Sequence, residues 1–174
     1  MKQVVTAALI GLGVYSSGAM ASDGKITVTG NVVAQTCTIA GTSGQNVTVT
    51  LPTVGTSSLA TAGQTAGSTP FAINLSNCPS GLKNAQTRFE VGPTVDSASG
   101  NLLNSTGTGS ATNVEVQLLN NSYSAINLNN NSNSQVVPIS GGSATMSYYA
   151  QYIATGAAGA GAVNTSVQYS MTYQ

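Results

Sequence analysis

Apolar and polar residues alternate one by one in short runs along most of this chain, and that period of two limits what it can fold into more than any other feature. Alternation of this kind puts every second side chain on one face of an extended segment, the pattern of a half-buried β-strand. Residues 26–32, 46–51, 71–75, 88–91, 113–118, 135–139, 147–153 and 166–173 all read this way, with many Val, Ile, Thr and Tyr among them. Turn-formers separate them at 40–45, 79–81, 97–101, 129–133 and 140–143, where Gly, Asn, Ser and Pro favour reversal of the chain. The glycine-rich stretch 156–161 has expected strands on both sides, so it reads as an inter-strand loop. No convincing amphipathic helix follows residue 21. Many short strands at this spacing predict an all-β protein built as a β-sandwich.

The first residues obey a different rule. Lys2 supplies a positive charge, residues 4–14 are uncharged and mostly apolar, and Ala19 and Ala21 are small residues at the two positions a signal peptidase reads. This is the pattern of a secretory signal peptide over residues 1–21, cleaved after Ala21. Its apolar core has about half of the roughly 20 residues that a spanning helix needs. What remains, about 150 residues, is enough for one domain with its own core.

Charge and cysteine content narrow the function. Lys and Arg total four, Asp and Glu total four, and only 5% of the residues are charged. There is no basic patch to neutralise phosphates, so no nucleic-acid partner is expected. Asn, Ser, Thr and Gln carry the polarity instead, which suits a surface packed into an assembly outside the cell. Cys37 and Cys78 are the two cysteines, and with an export signal they predict one disulfide. It closes a loop of about 40 residues, worth roughly 4 kcal/mol in the chain-entropy model.

The chain contains no histidine, which rules out Ser-His-Asp and Cys-His catalysis. With no third cysteine either, no metal site is expected. A catalytic carboxylate pair would have to come from Asp23, Glu90, Asp96 and Glu115. Asp23 stands at the expected mature N-terminus and Asp96 in a turn region. Glu90 and Glu115 take polar positions in alternating strands, where a solvated face is the ordinary explanation. No glycine-rich phosphate loop opens a helix. Neither an enzymatic activity nor a cofactor is expected.

Four features occur together. Ile26, Val28, Gly30 and Val32 fall on one face of a strand a few residues before Cys37. Cys37 and Cys78 bracket a strand and a turn-rich segment. Residues 109–118 run from Gly-Ser-Ala-Thr-Asn into an alternating strand. At the C-terminus Val167, Tyr169, Met171 and Tyr173 alternate up to a penultimate tyrosine, with Gly161 a short distance upstream. In combination these resemble the chaperone–usher pilins, most closely the type 1 fimbrial major subunits, over essentially the whole precursor.

The resemblance implies an incomplete immunoglobulin-like β-sandwich lacking its last strand, over residues 36–174, preceded by an N-terminal donor-strand extension at 22–35. It implies a structural subunit of an adhesive surface fimbria. A periplasmic chaperone would fill the groove first and an outer-membrane usher would receive the complex. Identical or related subunits would then polymerise head to tail by donor-strand exchange, a form of β-strand addition. Ile26, Val28, Gly30 and Val32 would be the donor residues, and Gly161, Val167, Tyr169, Met171 and Tyr173 would mark the groove and chaperone-binding strand. The residues support this independently. A strand with an apolar face at the extreme N-terminus needs somewhere to bury that face, at roughly 1.5–3 kcal/mol per side chain. A donor that comes from a neighbour makes an open filament. Gly30 also fits a bulge, and Tyr173 also fits a plain core aromatic. A minor adaptor subunit, or a single-domain adhesin that binds a surface glycan, is the alternative.

Overall fold

In a computed structural model that describes residues 25–30, 32, 36–40 and 45–174, eight strands and one short 3-10 helix make up the regular structure of those described residues. The strands are β1 (Thr38–Ala40), β2 (Thr65–Ser76), β3 (Asn84–Phe89), β4 (Leu102–Leu103), β5 (Val114–Leu119), β6 (Val136–Pro138), β7 (Ala144–Ala154) and β8 (Tyr169–Tyr173), and the helix is Thr56–Leu59. They form a five-stranded sheet in the order β1-β2-β7-β5-β4 and a three-stranded sheet in the order β6-β3-β8. Every pairing is antiparallel. All of them belong to the unit formed by residues 34–174, and residues 1–33 form a separate unit.

The period of two in the sequence becomes the two faces of each strand. In β7, Ala144, Met146, Tyr148 and Ala150 are buried, while Thr145 and Ser147 between them are exposed. β3 does the same with Ala85, Thr87 and Phe89. The two inner faces meet. Phe89 of β3 packs edge-on against Tyr148 of β7 at 5.6 Å, and Tyr148 stacks on Phe71 of β2 at 5.4 Å. The buried Thr87 hydroxyl donates to the Met146 sulfur at 3.2 Å, so a polar strand residue is satisfied between the sheets. Each large apolar side chain buried here contributes about 1.5–3 kcal/mol.

The disulfide joins Cys37 to Cys78. It ties the short edge strand β1 to the end of its neighbour β2, where Thr38 pairs with Ser76 and Ala40 with Asn74. At the other end of β2 the register with β7 shifts between Ala66 and Thr69. Gly67 stands in that irregularity with φ +69°, and a Cβ there would lie 3.1 Å from Tyr152 Cδ2 and 3.2 Å from Pro52 Cγ. Only glycine adopts that backbone without strain while letting these neighbours approach.

Several expectations need correction. Residues 46–51 join no sheet ladder, although Val47, Val49 and Leu51 are half-buried and Thr48 and Thr50 exposed, as the alternation requires. The described residues of 26–32 carry no assigned strand within the chain itself, which leaves their expected pairing with a neighbour untouched. β8 is shorter than the 166–173 run, β3 lies upstream of most of 88–91, and β1 and β4 were not foreseen. Glu115 is not on a solvated face. It is only 5% exposed, and Ser99 and Asn101 donate to its Oε2 at 2.8 and 3.0 Å. The expected leader, residues 1–21, lies outside the described residues, as does most of the stretch from 31 to 35.

Candidate strand-binding groove

The second sheet has only three strands, and β8 lies at its end. One edge of β8 pairs with β3 from Ala85–Tyr173 to Phe89–Tyr169, and the Gln168 carbonyl extends that pairing by accepting from the Glu90 N–H at 2.8 Å. Upstream, the same edge of the chain is held by loops. The Ser166 carbonyl accepts from the Thr94 hydroxyl at 2.6 Å, and Asn164 bonds Ser105 and Asn104. No strand among the described residues pairs with the other edge of β8.

Beside that free edge runs a groove of about 870 Å³. Its floor is the inner face of the large sheet, with Phe71 and Ile73 from β2, Ala150 and Tyr152 from β7, and Val116 and Leu118 from β5. One wall is the extended segment with Val47, Val49 and Leu51. The other is the run Val163, Thr165, Val167 and Tyr169, half-buried at every second position. The Tyr169 hydroxyl reaches across and donates to the Gln45 carbonyl. Burial pushes the Tyr152 and Tyr169 phenols above their usual range, so both rings stay neutral in this apolar setting. The Thr165 hydroxyl in the wall is buried and has no partner. A groove bounded by two extended segments and floored by a sheet's inner face is where another strand fits, because backbone and side chains can both be satisfied there.

Of the residues singled out from the sequence, Val167 and Tyr169 line this groove, and Met171 and Tyr173 continue the same half-buried face against the core. Gly161 lies just upstream, where a second cavity of about 370 Å³ lies beneath Ala158, Gly159, Ala160 and Gly161 and shares Tyr152 and Val163 with the groove. The sequence reading had assigned no groove role to Val47, Val49, Leu51, Phe71, Tyr152, Val163 or Thr165. Their alternation was visible, but alternation does not tell which face of which strand borders a gap. In the separate N-terminal unit, Ile26, Val28 and Val32 expose 92%, 87% and 97% of their surface.

A domain whose C-terminal strand borders an open apolar groove is matched over residues 51–174 by the family model "Type-1 fimbrial protein, A". The chain belongs to the type-1 fimbrial protein family. It is 46% identical to the major fimbrial subunit SMF-1 of Stenotrophomonas maltophilia strain K279a, covering 89% of this chain and 95% of that one. It is 43% identical to the F17 fimbrial protein of Escherichia coli, covering 91% and 92%. A solved chaperone–usher pilus structure concerned with rod uncoiling shares the fold with a TM-score of 0.63 at 21% identity, covering 97% of this fimbrial subunit and 100% of that chain. The incomplete sandwich is thus a pilin fold, and the family is one of structural fimbrial subunits rather than enzymes.

Proposed function

We propose that this fimbrial subunit polymerises head to tail, residues 26–32 of one copy entering the groove of the next. The observation that carries this reading is the groove itself, apolar and open beside an unpaired strand edge. The N-terminal segment offers a complementary surface. Ile26, Val28, Gly30 and Val32 recur at two-residue spacing, as do Val163, Thr165, Val167 and Tyr169 along the wall. Burying three such side chains stabilises the contact by about 1.5–3 kcal/mol each, and backbone hydrogen bonds along β8 add to that. Residues 1–21 are an export signal in this reading, and 22–35 the donor extension. A periplasmic chaperone occupies the groove before assembly, an outer-membrane usher receives the complex, and the product is an adhesive surface fimbria of which this chain is the main subunit.

Val28→Asp tests the donor assignment. It places a charge without a partner in an apolar site, on a residue that is exposed in the subunit alone. The variant should form a soluble chaperone complex in wild-type yield and no surface filaments, scored by electron microscopy of cells that make only that subunit. Wild-type filaments would remove residues 26–32 from the donor role.

A further inference from the structure

The outer face of the five-stranded sheet carries an aromatic pair that the groove does not use. Tyr149 lies on β7 between Tyr148 and Ala150, which are buried between the sheets, so its ring points away from the groove. Tyr123, in the loop after β5, stacks on it with ring centroids 4.2 Å apart and planes 22° apart. Tyr123 is 62% exposed and is the one exposed aromatic residue among those described.

Its backbone is unusual for such a side chain. Tyr123 has φ +59°, in the left-handed region where Gly and Asn are at ease and a bulky residue is strained. The loop enforces this conformation. The Asn120 carboxamide oxygen accepts from the Ser122 and Ser124 N–H groups at 2.9 and 3.0 Å, and its nitrogen donates to the Asn133 carbonyl at 3.0 Å. Asn133 in turn donates to the Ala125 carbonyl at 2.8 Å. A turn that would be relaxed with Asn instead holds an exposed ring in a fixed place, and strain that surrounding structure enforces points to use.

The chemistry around the ring selects the ligand. Residues 116–174 contain no Asp, Glu, Lys or Arg, and Glu115 on the same sheet is buried and hydrogen-bonded. Glu115 is the one charged residue of this sheet's five strands, so the sheet offers an ionic ligand no free counter-charge. The polar groups next to the ring are the exposed Asn121 carboxamide and Ser122 hydroxyl, the hydroxyl donating to the Asn121 oxygen at 3.4 Å, and both retain capacity to bond further hydroxyl groups. An aromatic face is electron-rich and attracts the weakly positive C–H groups on the flat face of a sugar ring.

From these features we propose that Tyr123, backed by Tyr149, is a stacking platform for an uncharged pyranose, with Asn121 and Ser122 bonding its hydroxyls. The site lies on the opposite face of the sheet from the groove, so it does not depend on strand donation. Repetition along a filament would turn a weak single contact into avid binding.

The test uses purified filaments of the wild type, Tyr123→Asn and Tyr123→Phe, with saturation-transfer NMR against lactose, maltose and glucuronic acid as probes. Asn accepts the left-handed backbone and removes the ring, so the variant should fold and assemble. Transfer to the C–H protons of a neutral sugar is expected for the wild type, with affinity about tenfold lower in Tyr123→Asn and nearly unchanged in Tyr123→Phe. Glucuronic acid should bind more weakly than either neutral probe. Absence of neutral-sugar binding to the wild type, or equal binding to Tyr123→Asn, would overturn the proposal. So would filaments of Tyr123→Asn that dissociate at lower temperature while binding sugar normally, since the pair would then be a contact between subunits.

Discussion

Two glycines of this chain are alike in sequence and opposite in physical circumstance. A Cβ on Gly161 would lie 2.4 Å from the Ala111 nitrogen and 2.4 Å from the Ser110 carbonyl carbon, both backbone atoms. The strands of chain that crowd it are bonded to each other, Ala111 N–H to the Ala162 carbonyl at 2.9 Å and Ala162 N–H to the Gly109 carbonyl at 2.8 Å. Neither can retreat without losing those bonds. A Cβ on Gly30 would meet nothing within 4 Å. Gly161→Ala should therefore lower the stability of the isolated subunit by about 1–3 kcal/mol through overpacking, read as a lower urea midpoint. Gly30→Leu should leave that midpoint unchanged. Any effect of Gly30→Leu on filament growth must then come from a second molecule. A lowered midpoint for Gly30→Leu would place Gly30 inside its own subunit's fold.

At the scale of elements, β8 holds the groove open and is itself held on one side only. Its five residues pair with β3, and Tyr169, Met171 and Tyr173 are no more than half-buried against the core. Tyr173 ends the strand, beside the bonds that clamp the terminus, with Lys83 and Asn84 N–H both donating to the Gln174 carbonyl at 2.7 and 2.9 Å. Tyr173→Ser removes most of the apolar surface at that end and leaves the clamp. Less of the subunit should be captured by the chaperone, and periplasmic levels should fall, measured by immunoblot and co-purification. Normal levels and a normal complex would show that the end of β8 is not part of the recognised surface. β1 has a different support. It is three residues long and on a sheet edge, and the Cys37–Cys78 bond fixes it to β2.

At the scale of the molecule, the titratable groups predict a flat stability profile with a fall at high pH. Burial raises the phenol pKa of Tyr148, Tyr152, Tyr169 and Tyr173 above the ordinary 10.0. Their contribution is complete below that value, where both folded and unfolded chains hold the proton. It is lost as pH rises through the folded values, because the unfolded chain ionises first. On the acid side, the Ala98 N–H and then Glu115 hold Asp96 below its usual range, so its contribution is lost as pH falls through that lowered value. The chain has no histidine, the side chain whose ordinary pKa lies nearest neutrality. The urea midpoint of the subunit should be constant between about pH 6 and 9 and drop above about pH 10. A steep change near pH 7 would contradict this account.

The all-β class, the two-cysteine bridge and the absence of histidine chemistry were legible in the sequence, because each depends on local pattern or on composition. Alternation in β5 and β7 marks strands whatever their partners are, and two cysteines behind an expected export signal leave few alternatives to a bond. Tyr169 and Val167 could also be placed on one face by counting. What counting could not decide is which strands neighbour which. Residues 46–51 and 163–168 alternate as well as any strand in the chain, yet neither segment makes a strand of either sheet. Nor could the sequence show that Glu115 is covered, because the 96–101 loop that covers it folds back from elsewhere in the chain. Burial, pairing and the groove arise from contacts between residues far apart in sequence, and only the tertiary fold brings those residues together.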